Sequence, residues 1–237
     1  LPVLMSHYAV EVAVFDMDSK HKNYFVYRDT YGDGEWRMFG WDKDLSMGHV
    51  WDQGATSLVW NVYWGSANKM HALLFDVPVF SQMFKRRART VVDRILQAPD
   101  SPATDFFYEN RINALHDALK PLADADRAKY GWPTNLIGYY HYPDLTFDEG
   151  IHELTNDYFR PRRTFVYNTY SWWLPSAQPA GAALRFNTLD VSPISANQDE
   201  EYIELTNANN YAVDISGWRL SNAVDFVFRE GVVVAPG

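Results

Sequence analysis

Asp18 and Asn23 stand five positions apart, and after a hairpin-like stretch the chain reads Trp41-Asp-Lys-Asp44. Four oxygen-bearing side chains, Asp18, Asn23, Asp42 and Asp44, therefore flank one short unit. Carboxylate and amide oxygens are what hard dications such as Mg²⁺ select. Phosphoryl transfer asks little else of a protein: a base that orients the attacking hydroxyl, and one or two metal ions that gather the phosphate charge. Spacing of this kind also recurs by chance, because Asp and Asn cap helices and turns by satisfying local backbone donors.

The elements that must hold these residues are legible in the apolar pattern. Tyr24-Phe-Val-Tyr27 and Trp36-Arg-Met-Phe39, separated by Tyr31-Gly-Asp-Gly34, have the chemistry of two antiparallel strands joined by a turn. Upstream, Leu4, Tyr8, Val12 and Phe15 recur at three to four residues, which predicts a buried helix over Val3 to Phe15. Leu45 to Leu74, rich in Gly, Trp and Asn without a period, reads as mostly irregular. Helical pattern returns after Pro78, with Phe80, Phe84, Val91 and Ile95 on one face and Lys85, Arg86, Arg87, Arg89 and Arg94 around the others. Further helices are expected over Phe106 to Lys120 and from Phe147 towards Phe165. Proline and small residues from Pro175 to Ala183 read as a linker. Beyond it, Tyr202-Ile-Glu-Leu205, Val213-Asp-Ile215, Trp218-Arg-Leu220 and Phe226-Val-Phe228 are short runs spaced by turn residues, as in a small β-sandwich. The fold class is thus α+β: a short hairpin with a helical block over residues 1–172, a linker over 173–183, and a partial all-β sandwich over 184–237.

Length and composition bound what such a chain does. Its 237 residues allow one large domain or two unequal ones, and 47% hydrophobic with 22% charged residues is globular composition. A formal charge of −9 disfavours nucleic acid as a partner, since phosphate neutralisation needs a cationic face. With no cysteine, any metal must take oxygen or imidazole ligands. No apolar run reaches membrane-spanning length; even Leu1 to Phe15 is broken by His7 and Glu11. The opening Leu-Pro-Val and the close at Val234 to Gly237, inside a strand-and-turn region, read as a piece of a longer protein.

Asp18-Ser-Lys-His-Lys-Asn-Tyr-Phe-Val-Tyr-Arg-Asp29, followed by Gly34-Glu-Trp-Arg-Met-Phe-Gly-Trp-Asp-Lys-Asp-Leu-Ser-Met-Gly48, resembles the spore-coat protein H (CotH-type) family of atypical kinases. Val77-Pro-Val-Phe80, Arg86-Arg87 and Asp157-Tyr-Phe-Arg-Pro-Arg-Arg163 resemble the helical part of that family, so the likeness covers most of residues 1 to 170. Glu201-Tyr-Ile-Glu-Leu-Thr-Asn207 and Val213-Asp-Ile-Ser-Gly-Trp-Arg-Leu220 resemble a lamin-tail domain, which implies that the sandwich over 184–237 is immunoglobulin-like. The resemblance implies transfer of the γ-phosphate of ATP to Ser/Thr hydroxyls of a protein substrate, with Mg²⁺ or Mn²⁺. Asp18 would match the catalytic Asp, Asn23 and Asp42 the metal ligands, and Asp44, on the same side of an extended segment, could share the cation or its waters. The phosphate-holding Lys and the covering sheet of that family would lie upstream, so the fragment alone is expected to be inactive. Met17 precedes Asp18, so the His-Arg-Asp triplet of ordinary kinases is not found. The resemblance also implies an extracellular or cell-surface location, and surface-protein partners met through the lamin-tail domain.

Two other activities compete. One is an inactive surface or adhesion scaffold in which the lamin-tail module does the binding; the other keeps the fold but transfers a nucleotide instead of a phosphate. Elsewhere the chain offers less chemistry. Asp29 to Gly34 fails as a calcium loop because Tyr31 and Gly40 stand where oxygen ligands are needed. His7, His21, His49 and His71 show no metal spacing and read as surface or hydrogen-bonded core residues, with His21 inside the loop of interest. The run Lys85 to Arg94 reads as a solvated face, with contact to phosphate or an acidic substrate as the alternative. Trp41, Trp51, Trp60 and Trp64 read as core aromatics before a sugar platform.

Overall fold

A computed structural model describes residues 1–16, 22–49, 68–131, 145–222 and 224–237. At its centre helix α1 (Pro2–Val14) packs on helix α3 (Pro78–Ile95). Met5, Tyr8, Ala9, Val12 and Ala13 of α1 and Phe84, Ala88 and Val92 of α3 are buried together, as the three-to-four spacing predicts. Each helix begins at a proline, whose fixed φ suits a first turn and whose missing N–H costs nothing there.

Strands β1 (Tyr24–Arg28) and β2 (Trp36–Gly40) pair antiparallel, with Tyr24 opposite Gly40 and Arg28 opposite Trp36. Their turn is closed by Asp29, whose carboxylate accepts from Gly32 N at 2.9 Å, and by the Asp33–Arg37 pair. Of the stretch expected to be irregular, Leu45 to Leu74, residues 50–67 lie outside those described, and its last part is helical. Helix α2 (Lys69–Asp76) starts at Asn68, whose Oδ1 accepts from Met70 N and His71 N. A side-chain cap of this kind lets a short, weakly periodic segment nucleate.

Helix α4 (Phe107–Tyr130) runs well past the expected stop at Lys120 and carries Pro121 inside it. The stretch beyond, Leu-Ala-Asp-Ala-Asp-Arg-Ala-Lys129, has strong helix formers, and Lys120 pairs with Asp124 one turn on. After the capping box of Thr146 and Glu149, helix α5 (Phe147–His152) passes into a wide π-helical turn over Glu153–Phe159. Helix α6 (Arg160–Thr164) and a second π turn over Phe165–Thr169 complete one winding rod. It delivers Tyr158, Phe159, Phe165 and Val166 to the core, where Tyr170, Trp173 and Leu174 join them.

The C-terminal region is built from antiparallel strand pairs. Strands β3 (Arg185–Asp190) and β4 (Tyr202–Thr206) pair with a register shift between Phe186 and Thr188. Strand β5 (Val213–Asp214) pairs with β8 (Val233–Val234), and β6 (Arg219–Leu220) with β7 (Phe226–Val227). Ala212 and Val233 enter the same core as the helices.

The basic run on α3 departs from expectation. Arg86 and Arg87 are 4% and 2% exposed, not solvated. Arg86 donates to the carbonyls of Ala212 and Ser176, at 2.9 and 2.8 Å. Arg87 pairs with Asp214 at 3.2 Å and Glu230 at 2.8 Å, and donates to the hydroxyls of Ser6 and Ser216. These guanidiniums replace water with carboxylates and carbonyls from the strand region, which is how a buried charge becomes tolerable.

Candidate functional site

The site is built on the end of α1. A helix leaves its last four carbonyls without intrahelical partners, and here other elements supply them. Tyr158 Oη donates to Ala13 O at 2.8 Å, and Arg162, fully buried between the rings of Phe15 and Phe165, donates to Val12 O at 2.9 Å. Met47 N donates to Val14 O at 2.7 Å. A cation at a helix C-terminus also complements the helix dipole. Thus Tyr158 and Arg162 of the Asp157-to-Arg163 motif pin the C-terminal end of α1.

The hairpin brings two of the expected residues together. Asn23, just before β1, and Asp42, just after β2, meet where Asn23 Nδ2 donates to Asp42 O at 3.1 Å and Trp41 N donates to Asn23 O at 2.9 Å. Both have left-handed backbone, φ +63° and +52°, a conformation in which Asn and Asp are enriched among non-glycine residues. The start of β1 is held to the core by Asn68, whose Nδ2 donates to the hydroxyls of Tyr24 at 2.6 Å and Tyr8 at 3.2 Å.

Beneath Asp42 lies a charge cluster. Lys43 Nζ pairs with Asp16 and lies 3.6 Å from Glu11 Oε1. The Asp16 and Glu11 side chains are 0% and 6% exposed, and Asp16 N donates to Glu11 Oε2 at 3.3 Å. Burial pushes the Glu11 carboxyl up to about 7; Lys43 opposes that rise and Asp16 adds to it. His7, 4.0 Å from Glu11, is brought down to about 4 by burial and by the charge of Lys43. Asp42 and Asp44, on either side of Lys43, are exposed, and their carboxylates make no ion pair among the described residues.

The CotH kinase protein family model matches residues 1–166, and the Lamin Tail Domain model matches residues 177–237. This chain belongs to the CotH kinase protein family. No curated protein and no solved structure matches it.

In this CotH chain Asn23 and Asp42 are adjacent, and Asp44 opens the turn that follows Lys43. Asp18, with His21, Trp51, Trp60 and Trp64, lies outside the described residues. The backbone at Asp42 is left-handed, not extended, so strand alternation does not put Asp42 and Asp44 on one side. An amide and solvent-exposed carboxylates fit a hydrated Mg²⁺, which keeps several waters and takes one or two protein carboxylates. Among the described residues no three His, Asp or Glu form a closed metal cage. Sequence reasoning missed Glu11, Asp16 and Lys43. The Glu11 signal was a lone acid in an apolar helix repeat, where burial follows from the period.

Proposed function

We propose that this CotH-family chain carries the catalytic-loop and metal-binding half of an atypical protein kinase, which moves the γ-phosphate of ATP to Ser/Thr hydroxyls of a protein substrate. The carrying observation is the meeting of Asn23 and Asp42 across the hairpin end, with exposed Asp42 and Asp44 beside it. Asn23 and Asp42 would hold Mg²⁺ or Mn²⁺, with Asp44 on the ion or its waters. When bound, the ion neutralises charge on the phosphates. Asp18 orients the acceptor hydroxyl and takes its proton. The protein works outside the cell or on its surface, and its lamin-tail module meets other surface proteins. Among the described residues no helix is long and apolar enough to cross a membrane.

The test is transfer of labelled phosphate from ATP, with Mg²⁺ or Mn²⁺, by the full-length protein. Asp18→Asn and Asp42→Ala should each lower the rate by about a hundredfold or more. Undiminished transfer in both variants would remove these residues from the site. A folded protein that neither binds ATP nor transfers phosphate would be a scaffold.

A further inference from the structure

We propose that Lys43 is a positioning residue: paired with Asp16, it clamps the segment bearing Asp42 and Asp44 onto the end of α1 and so fixes where those two carboxylates stand. The proposal rests on the kinase reading for its catalytic consequence, though not for the clamp itself.

Five contacts converge on this segment. Lys43 reaches Asp16 and Glu11, Met47 N donates to Val14 O at 2.7 Å, Ser46 Oγ donates to Lys43 O at 2.7 Å, and Asn23 Nδ2 donates to Asp42 O at 3.1 Å. The segment so held is the one that matters, because Lys43 lies between Asp42 and Asp44. Only the Lys43 contacts are ionic. A hydrophobic pair of similar volume would commonly hold two such segments as well or better, since a buried carboxylate loses its hydration before any pairing. The ionic solution adds a property that an apolar one lacks. Glu11 and Asp16 are acidic side chains beneath a segment that carries two more, and a cation there would otherwise be drawn inward to Asp16 as well as to the surface. Lys43 occupies the inner pair and leaves the outer pair exposed, with a register that follows from Lys43 being the middle residue of Asp-Lys-Asp.

The experiment compares the full-length protein with Lys43→Met, Lys43→Arg and Asp16→Asn by hydrogen exchange, direct Mn²⁺ titration and phosphate-transfer kinetics. In Lys43→Met the Met47 amide should exchange about tenfold faster or more, while amides of α3 and of β5 stay protected. Mn²⁺ affinity should fall by roughly tenfold, and kcat should fall while KM for ATP holds within about twofold. Lys43→Arg should restore most of each property, because it keeps the charge, and Asp16→Asn should repeat the Lys43→Met pattern from the other side. Unchanged Met47 exchange in both Lys43→Met and Asp16→Asn would overturn the clamp. So would loss of protection spread evenly over the whole protein, or failure of Lys43→Arg to rescue. If wild type transfers no phosphate, the kinase reading fails by itself, and the exchange and Mn²⁺ results still decide the clamp.

Discussion

His7 and Glu11 are one helical turn apart on α1 and are displaced in opposite directions, His7 down to about 4 and Glu11 up to about 7. The Glu11 value lies above its unfolded reference of 4.5, so the stability it contributes is full below about 4.5 and is lost as pH rises through about 7. His7 lies below its reference of 6.5, so its contribution is present above about 6.5 and is lost as pH falls through about 4. Each shift corresponds to about 3 kcal/mol, and between about pH 4.5 and 6.5 the two slopes oppose one another. Removing one member should expose the other. Relative to wild type, Glu11→Gln should gain stability steadily from about pH 4.5 to 7, whereas His7→Asn should lose relative stability from about pH 4 to 6.5. Urea midpoints across that range measure both, and parallel profiles for wild type and Glu11→Gln would show that Glu11 does not titrate with a raised value.

Among the elements, α3 separates what a sequence pattern conveys from what it leaves out. Its apolar face follows from spacing, because burial against α1 needs only the helical period. Four arginines in ten residues read alike whether water or protein surrounds them, and the partners of Arg87 lie 127 and 143 positions away. The meeting of Asn23 and Asp42 was legible for the same reason as the face, being fixed by a hairpin whose turn residues are local. Lys43 and Asp16 were not, since their pairing depends on where the end of α1 comes to rest. The length of α4 was missed because Pro121 usually marks a stop, yet the first turns before it and the Ala-rich stretch after it continue one helix. Burial also ranks the arginines by consequence. Arg87→Ala strands Asp214, 2% exposed, in the core and should cost about 3–5 kcal/mol. Arg94→Ala breaks an exposed pair with Glu230 and should cost less than about 1 kcal/mol. Denaturant unfolding of the two variants checks the ranking, and equal costs would mean that the Arg87 cluster is solvated.

At the scale of the whole molecule, the CotH and lamin-tail regions share surfaces that a flexible tether would not need. The carbonyls of Pro175 and Ser176 accept from Arg89 and Arg86, and Gln178 exchanges hydrogen bonds with the backbone of Asp214. Arg229 pairs at 2.5 Å with Glu35 beside the hairpin turn. Gly231 fits closely: with φ +87° it lies so near α1 that a Cβ would collide with Pro2 O and come within 2.6 Å of Ser6 Oγ. Because Ala212 and Val233 also lie in the helical core, unfolding either region exposes apolar surface of the other, which is the condition for a single cooperative transition. Scanning calorimetry of this chain should therefore give one peak whose van't Hoff and calorimetric enthalpies agree. Gly231→Ala meets both a strained φ and a backbone collision, so it should cost on the order of 1–3 kcal/mol and broaden or split that peak, with the strand region melting first. Arg229→Ala, which removes an exposed pair, should leave a single peak shifted by only a degree or two, about what a loss under 1 kcal/mol produces. Two separated peaks in the wild-type chain would mean that the regions are tethered modules, and that the Arg87 cluster contributes contact without coupling.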